Sequence, residues 1–207
     1  MQKRGSLYWL RSEPWIGQDG IQDGEADLMN RTGTIPDLPR LKVPCIMVIF
    51  GSDGDLTKRK LIPALYTLLA GQLLPSAFAV VGLDRTDQTT DEYRAKLDRV
   101  ISDYLPGGFD RSVWQALLQH IHYLPGDFKD GSTYRRLNES LQGIDTSEGT
   151  GGNYLFYMAT VPALFGEIVR HLGEYGLAVE REEGWRRVVI EKPFGHDVES
   201  AKALNYE

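Results

Sequence analysis

A single cysteine, Cys45, stands in 207 residues. A lone thiol closes no internal disulfide, so a disulfide-stapled fold is excluded. Cys45 sits in an apolar run and reads as a buried structural thiol, which fits a reducing compartment. Long hydrophobic runs are also missing. The longest, residues 45–50, falls far short of the ~20 residues that span a bilayer. The stretch Leu7-Tyr8-Trp9-Leu10 behind Lys3 and Arg4 is too short for the apolar core of a signal peptide. There is no excess of positive charge: 23 Lys and Arg stand against 29 Asp and Glu, a net charge of -6. That argues against nucleic acid as a partner, though a local basic pocket for a small anion stays open. Internal repeats, zinc-ligand spacings and low-complexity tracts are absent.

What is present is ordinary for a soluble protein. With 42% hydrophobic and 25% charged residues, collagen-like, disordered and coiled-coil classes are out. The length suits one domain, or one domain with appendages, at ~150 residues per domain. A cytoplasmic protein without membrane contact is expected.

Residues 1–40 lack periodicity and are rich in Gly, Asp, Arg and Pro, which predicts a flexible lead-in. From Val43 the pattern changes. Residues 43–50 are almost continuously apolar and β-branched and end at Gly51, as in a buried parallel strand. A helix is predicted over 56–70, with Leu61, Ala64, Leu65, Leu68 and Leu69 at helical spacing, Gly71 as its stop and Pro63 as a kink or a shifted start. Further strands are predicted at 78–83, 121–124, 154–159 and 187–191. Helices are predicted at 91–104, 111–120, 132–141, 162–172 and from Asp197 to 204, with 147–152 as a glycine-rich loop. Alternating strands and helices imply an open, mostly parallel α/β sheet with right-handed crossovers.

In such a sheet ligands bind at the carboxyl ends of strands near the switch point. The first strand-to-helix turn reads Gly51-Ser52-Asp53-Gly54-Asp55-Leu56-Thr57-Lys58-Arg59-Lys60. Gly51 permits a sharp turn, Gly54 a close backbone approach to phosphate, and the helix start favours an anion. The pattern is neither G-x-G-x-x-G nor a P-loop, and an ordinary turn with Asp55 capping the helix explains it too. Cations at 58–60 oppose the helix dipole, which makes sense if one of them meets a phosphate while the others are solvated.

The stretch Ile49 to Leu65 resembles the coenzyme turn of glucose-6-phosphate dehydrogenases, G-A-S-G-D-L-A/T-x-K-K/R-L. Glu191-Lys192-Pro193-Phe194-Gly195 matches that family's E-K-P-F-G segment, and Asn153-Tyr154-Leu155-Phe156-Tyr157-Met158-Ala159 resembles its N-R-L-F-Y-L-A strand. The resemblance covers about residues 43–205. It implies an α/β, doubly wound Rossmann-like open parallel sheet as a single NAD(P)-binding domain at 41–207, behind the lead-in at 1–40. It implies cofactor contacts at Gly51, Ser52, Asp53, Gly54, Asp55, Leu56, Thr57, Lys58, Arg85 and Lys192, with Lys192 also touching the substrate, glucose 6-phosphate. The implied reaction yields 6-phosphogluconolactone and passes hydride to NADP, the entry step of the oxidative pentose phosphate pathway. Where the family has Ala-Ser, this chain has Ser52-Asp53. A carboxylate there would repel a pyrophosphate unless it turns to solvent.

At the end of the second strand an acid selects NAD and an Arg accommodates the 2′-phosphate of NADP. Asp84-Arg85 offers both. By resemblance Arg85 favours NADP, Asp84 works against it or caps the turn, and NAD remains an option. The family's catalytic base is a His in R-I-D-H-Y-L-G-K-E, downstream of E-K-P-F-G and without counterpart in these 207 residues. His122-Tyr123-Leu124-Pro125-Gly126 reads as a strand end, and His120 and His171 as structural. No catalytic residue and no metal ligand is assigned. A chain short of the family's substrate domain is expected to be inactive alone, and a homo-oligomer is expected only with that domain. The competing readings are a non-catalytic nucleotide-binding fragment and a Gfo/Idh/MocA-type sugar oxidoreductase, whose G-x-G-x-x-G is missing here.

Overall fold

A computed structural model of the chain describes residues 43–105, 109–180 and 184–190, all within the unit Arg40–Glu207. The expected lead-in at 1–40 and the helix expected from Asp197 lie outside the described residues, as do Lys192 and His196.

Five strands form one sheet: β1 (Cys45–Phe50), β2 (Phe78–Asp84), β3 (Ile121–Pro125), β4 (Tyr154–Met158) and β5 (Arg186–Ile190). Their order is β3-β2-β1-β4-β5, and every neighbouring pair is parallel. The principal helices are α1 (Ile62–Ala70), α2 (Thr90–Val100), α3 (Arg111–Gln119), α4 (Gly131–Glu148) and α5 (Phe165–Glu174).

The central strand explains its own composition. Successive side chains of a strand point to opposite faces. Ile46, Val48 and Phe50 enter a core with Tyr134, Leu137 and Leu141 of α4 and Ile168 of α5. Met47 and Ile49 enter a second core with Ile62 of α1, Tyr93 of α2 and Trp114 of α3. Both faces are covered, so no polar residue is tolerated in the strand and the run is continuous rather than alternating. The sheet is doubly wound, as the resemblance implied.

Three local expectations are corrected. The helix expected at 56–70 is interrupted at its start: residues 57–61 form a π turn, closed by the Ile62 N–H on the Thr57 carbonyl. Pro63 lacks the N–H that would bond the carbonyl of residue 59, so the regular α ladder starts only at Ile62. Second, α4 runs to Glu148, well past residue 141, and takes in the first two residues of the expected loop. Leu137, Leu141 and Ile144 continue one buried stripe, and Gly149 in the left-handed conformation (φ +69) ends it. Third, Cys45 is half-buried rather than buried. Burial pushes its thiol upward in pKa, and the Arg187 charge offsets part of this.

Candidate functional site

Strand order reverses about β1, which has β2 on one side and β4 on the other. Ligands of open α/β sheets bind outside the carboxyl ends of the strands at such a point. Two segments leave the sheet there, residues 51–56 after β1 and Ala159 after β4.

The turn after β1 is packed tightly. Gly51 has φ +89, and a Cβ on it would lie 2.5 Å from the Ala159 carbonyl oxygen. Its N–H donates to the Leu83 carbonyl (3.0 Å), and the Ala159 N–H donates to the Phe50 carbonyl (2.9 Å). Ser52 is fully buried, and a Cβ at Gly82 of β2 would lie 2.8 Å from its side chain. Gly82 therefore lets the turn settle on β2. The Tyr93 hydroxyl of α2 donates to the Ser52 carbonyl (3.0 Å).

Gly54 closes the turn by donating to the Gly51 carbonyl (3.0 Å), and the Thr57 hydroxyl donates to the same oxygen (3.1 Å). Thr57 thus holds the turn from inside. The Lys58 N–H bonds the Gly54 carbonyl (3.3 Å), which leaves the N–H groups of Asp55, Leu56 and Thr57 ahead of the helical ladder. Asp55 does not cap this helix, as the ordinary-turn reading required. The chain enters the helix through Leu56 with no side-chain cap, and Asp55 instead lies 3.4 Å from Arg59. Arg59 also stands over the Tyr104 ring, 5.6 Å from its centre. Lys60 is exposed.

Asp53 does not turn to solvent. Its side chain is 12% exposed. Its Oδ1 accepts from Lys96 Nζ of α2 (2.6 Å), and Lys58 Nζ lies 3.5 Å away. Its Oδ2 accepts from the Thr86 hydroxyl (2.6 Å) and from Gln88 Nε2 (3.3 Å). Lys58 Nζ also donates to the Asp53 carbonyl. Burial by itself would raise this carboxyl's pKa. The hydrogen bonds from Lys96 and Thr86 and the Lys58 charge outweigh it and hold the group below the usual carboxylate range.

Asp84, at the end of β2, takes the capping role. One carboxylate oxygen accepts the Asp53 N–H (2.9 Å) and the other the Arg85 N–H (2.8 Å). Arg85 is exposed, and among the described residues its guanidinium has no ion-pair partner. Residues 51–58 and Arg85 are thus brought to one sheet edge. Lys192 lies outside the described residues.

Thr86, Gln88 and Lys96 were not singled out by sequence. A signal existed for Lys96: a carboxylate in a packed turn needs a cation, and Lys96 lies one helical turn beyond the buried Tyr93 on α2. The histidines stand apart from this cluster. His120 Nδ1 is 2.8 Å and His122 Nε2 3.6 Å from the Glu148 carboxylate at the end of α4. His122 is lowered in pKa, chiefly by burial and further by the Arg94 charge. His171 is buried, stacks on Tyr134 at 4.7 Å and lies 3.1 Å from Glu167. Among the described residues no group of three or more His, Cys, Asp or Glu could hold a metal ion, and no helix is long and apolar enough to cross a membrane.

Residues 48–207 match the family model described as "Glucose-6-phosphate dehydrogenase, NAD binding domain". The chain is 40% identical over 168 residues to "Glucose-6-phosphate 1-dehydrogenase 2" of Mycobacterium bovis, covering 81% of this chain and 33% of that protein. It is 39% identical over 169 residues to "Glucose-6-phosphate 1-dehydrogenase" of Chlamydia pneumoniae, covering 80% of this chain and 33% of that protein. The chain therefore spans about a third of the length of the curated relatives it matches. Among solved structures, "Glucose-6-phosphate dehydrogenase in complex with its substrate glucose-6-phosphate" superposes with a TM-score of 0.69 at 28% identity, over 82% of this chain and 34% of that one. The enzyme from Mycobacterium avium gives 0.66 at 32% identity, over 79% and 33%.

Proposed function

The chain belongs to the glucose-6-phosphate dehydrogenase family, and from that premise we propose that it is the coenzyme-binding part of such an enzyme. The proposed reaction oxidises D-glucose 6-phosphate to 6-phospho-D-glucono-1,5-lactone. NADP is the preferred hydride acceptor and NAD a second one. The setting is cytoplasmic, at the entry of the oxidative pentose phosphate pathway. Assembly into a homo-oligomer would need the family's substrate domain.

One observation carries the reading: a glycine turn leads into a helix at the switch point of the parallel sheet. The residues present fit a dinucleotide. The N–H groups of Asp55 and Leu56 at the helix start can face phosphate oxygens, Thr57 being fully buried, and Arg85 offers an unshared guanidinium at the end of β2. The bound nicotinamide ring would accept the hydride. This chain's own contribution is to bind and orient. Gly51 and Gly82 let the turn close on β2 and β4, Thr57 and Gly54 hold its shape, and Lys192 is proposed to reach both coenzyme and sugar phosphate.

NADP is favoured because both Asp84 oxygens already hold backbone N–H groups, while Arg85 is exposed. A charge-assisted contact with the 2′-phosphate is worth ~1.5–3 kcal/mol. Arg85→Ala is accordingly expected to lower the NADP-to-NAD affinity ratio ~10-fold or more, as read by calorimetric titration. An unchanged ratio removes Arg85 from the 2′-phosphate contact. For the purified 207-residue polypeptide we expect coenzyme binding without turnover, since the stretch that carries the family's base has no counterpart in it. NADPH formation from glucose 6-phosphate, followed by absorbance, would overturn that expectation.

A further inference from the structure

We propose that Asp53 sets the coenzyme selectivity of this domain by placing a tethered anion in the donor set that would otherwise receive the 2′-phosphate of NADP. The inference rests on the dinucleotide-binding reading above and adds a residue to it. Sequence places the discriminating acid at Asp84, the end of β2. The structure assigns that role to the neighbouring carboxylate.

The geometry is specific. Thr86 and Gln88 follow β2 directly, where the 2′ position of an adenosine ribose is read in this fold. Lys96 reaches in from α2 and Lys58 from the helix start. Four donors from three segments converge on one side chain. Two ammonium groups, a hydroxyl and an amide are a set suited to a phosphate dianion. Here they close on Asp53: Thr86 and Gln88 donate to one carboxylate oxygen and Lys96 to the other, with the Lys58 ammonium 3.5 Å from that second oxygen. A carboxylate so occupied has little acceptor capacity left for a ribose 2′-hydroxyl. Asp53 thus acts against the phosphate rather than for the hydroxyl. Lys58, Lys96 and Arg85 carry three positive charges against Asp53 and Asp84. Removing the Asp53 charge raises the local balance from one positive charge to two. A 2′-phosphate gains from that change, and a neutral 2′-hydroxyl does not.

The test uses equilibrium binding by the full chain. Kd values for NADP and NAD, and for adenosine 2′,5′-bisphosphate against AMP, are measured by calorimetry on wild type, Asp53→Ser and Asp53→Asn. Asp53→Asn keeps the side-chain shape if the smaller residue unsettles the turn. Asp53→Ser is expected to tighten NADP and adenosine 2′,5′-bisphosphate ~10-fold while NAD and AMP stay within about threefold, with a smaller gain for Asp53→Asn. Lys96→Gln adds a second arm. It is expected to weaken NADP in both backgrounds, because it removes one positive charge from the cluster, and to cost several-fold more in the Asp53→Ser background, where Lys96 is freed for direct contact with the phosphate. NADP and NAD binding with an unchanged ratio in both Asp53 variants overturns the selectivity role alone. Weaker NAD binding in those variants also overturns it, because Asp53 would then be a 2′-hydroxyl acceptor. Failure of wild type and variants to bind either coenzyme overturns the dinucleotide-binding reading itself.

Discussion

Gly51→Ala is expected to destabilise the domain by about 3 kcal/mol or more and to lower its Tm by roughly 6–12 °C. Two costs combine. A left-handed φ of +89 is strained for any residue with a Cβ, at roughly 1–3 kcal/mol. The added Cβ would also stand 2.5 Å from the Ala159 carbonyl oxygen, a backbone atom that cannot rotate away. Relief would require β1 and β4 to part at their carboxyl ends, where Phe50 and Ala159 share a ladder hydrogen bond of 2.9 Å. The turn leaves the sheet at that same spot, so coenzyme affinity should fall even in the fraction that stays folded. Gly54→Ala is the comparison. Its backbone lies outside the left-handed region and its nearest contact, the Gly51 carbonyl oxygen, is at 3.0 Å, so a smaller loss is expected. Paired urea titrations of the two variants and wild type measure the difference. If Gly51→Ala unfolds at the wild-type midpoint, the turn is not held against β4 in solution.

The elements most legible in the sequence are those whose burial is complete on both faces. Residues 45–50 need no partner to be read as a strand, because an apolar, β-branched run bounded by glycine has few other homes. The glycine turn was legible for the same local reason. What escaped was decided at long range. Asp53 looked like a misfit beside a phosphate, and nothing near it in sequence announced how it would be neutralised. Its partners Thr86 and Lys96 lie 33 and 43 residues away, and only the crossover through β2 and α2 brings them in. The end of α4 was hidden by its composition. Gly143, Asp145, Thr146 and Ser147 are poor helix formers, yet Ile144 docks on the core beside Leu141 and draws the helix on to Gly149. Tertiary burial overrode local propensity there. The π turn at 57–61 was announced by Pro63, but its form depends on which carbonyl the preceding N–H can reach.

Phe50→Ala is expected to cost about 3–5 kcal/mol, a large share of the ~5–15 kcal/mol that a domain of this kind has in total. Phe50 has no exposed surface, and its ring is surrounded by aromatics. Phe128 meets it edge-on at 5.9 Å, Tyr134 stacks at 6.3 Å, and Phe156 of β4 lies at 6.4 Å. These neighbours come from three segments: the loop after β3, the first turn of α4, and β4. Tyr134 is itself held by its hydroxyl on the Phe128 carbonyl (2.7 Å). Such a ring cage cannot collapse around a methyl group without dragging its backbone along, so the cavity term should be near the top of its range. Phe50→Leu fills most of the volume and should cost about 1–1.5 kcal/mol. The two variants separate packing from site geometry. Phe50 precedes the glycine turn but points into the α4 and α5 core, away from Ser52 and Tyr93 on the other face. A folded Phe50→Leu protein should therefore bind coenzyme within about threefold of wild type while its urea midpoint falls. If its coenzyme affinity drops in step with stability, the core beneath α4 and the turn above β1 move as one unit.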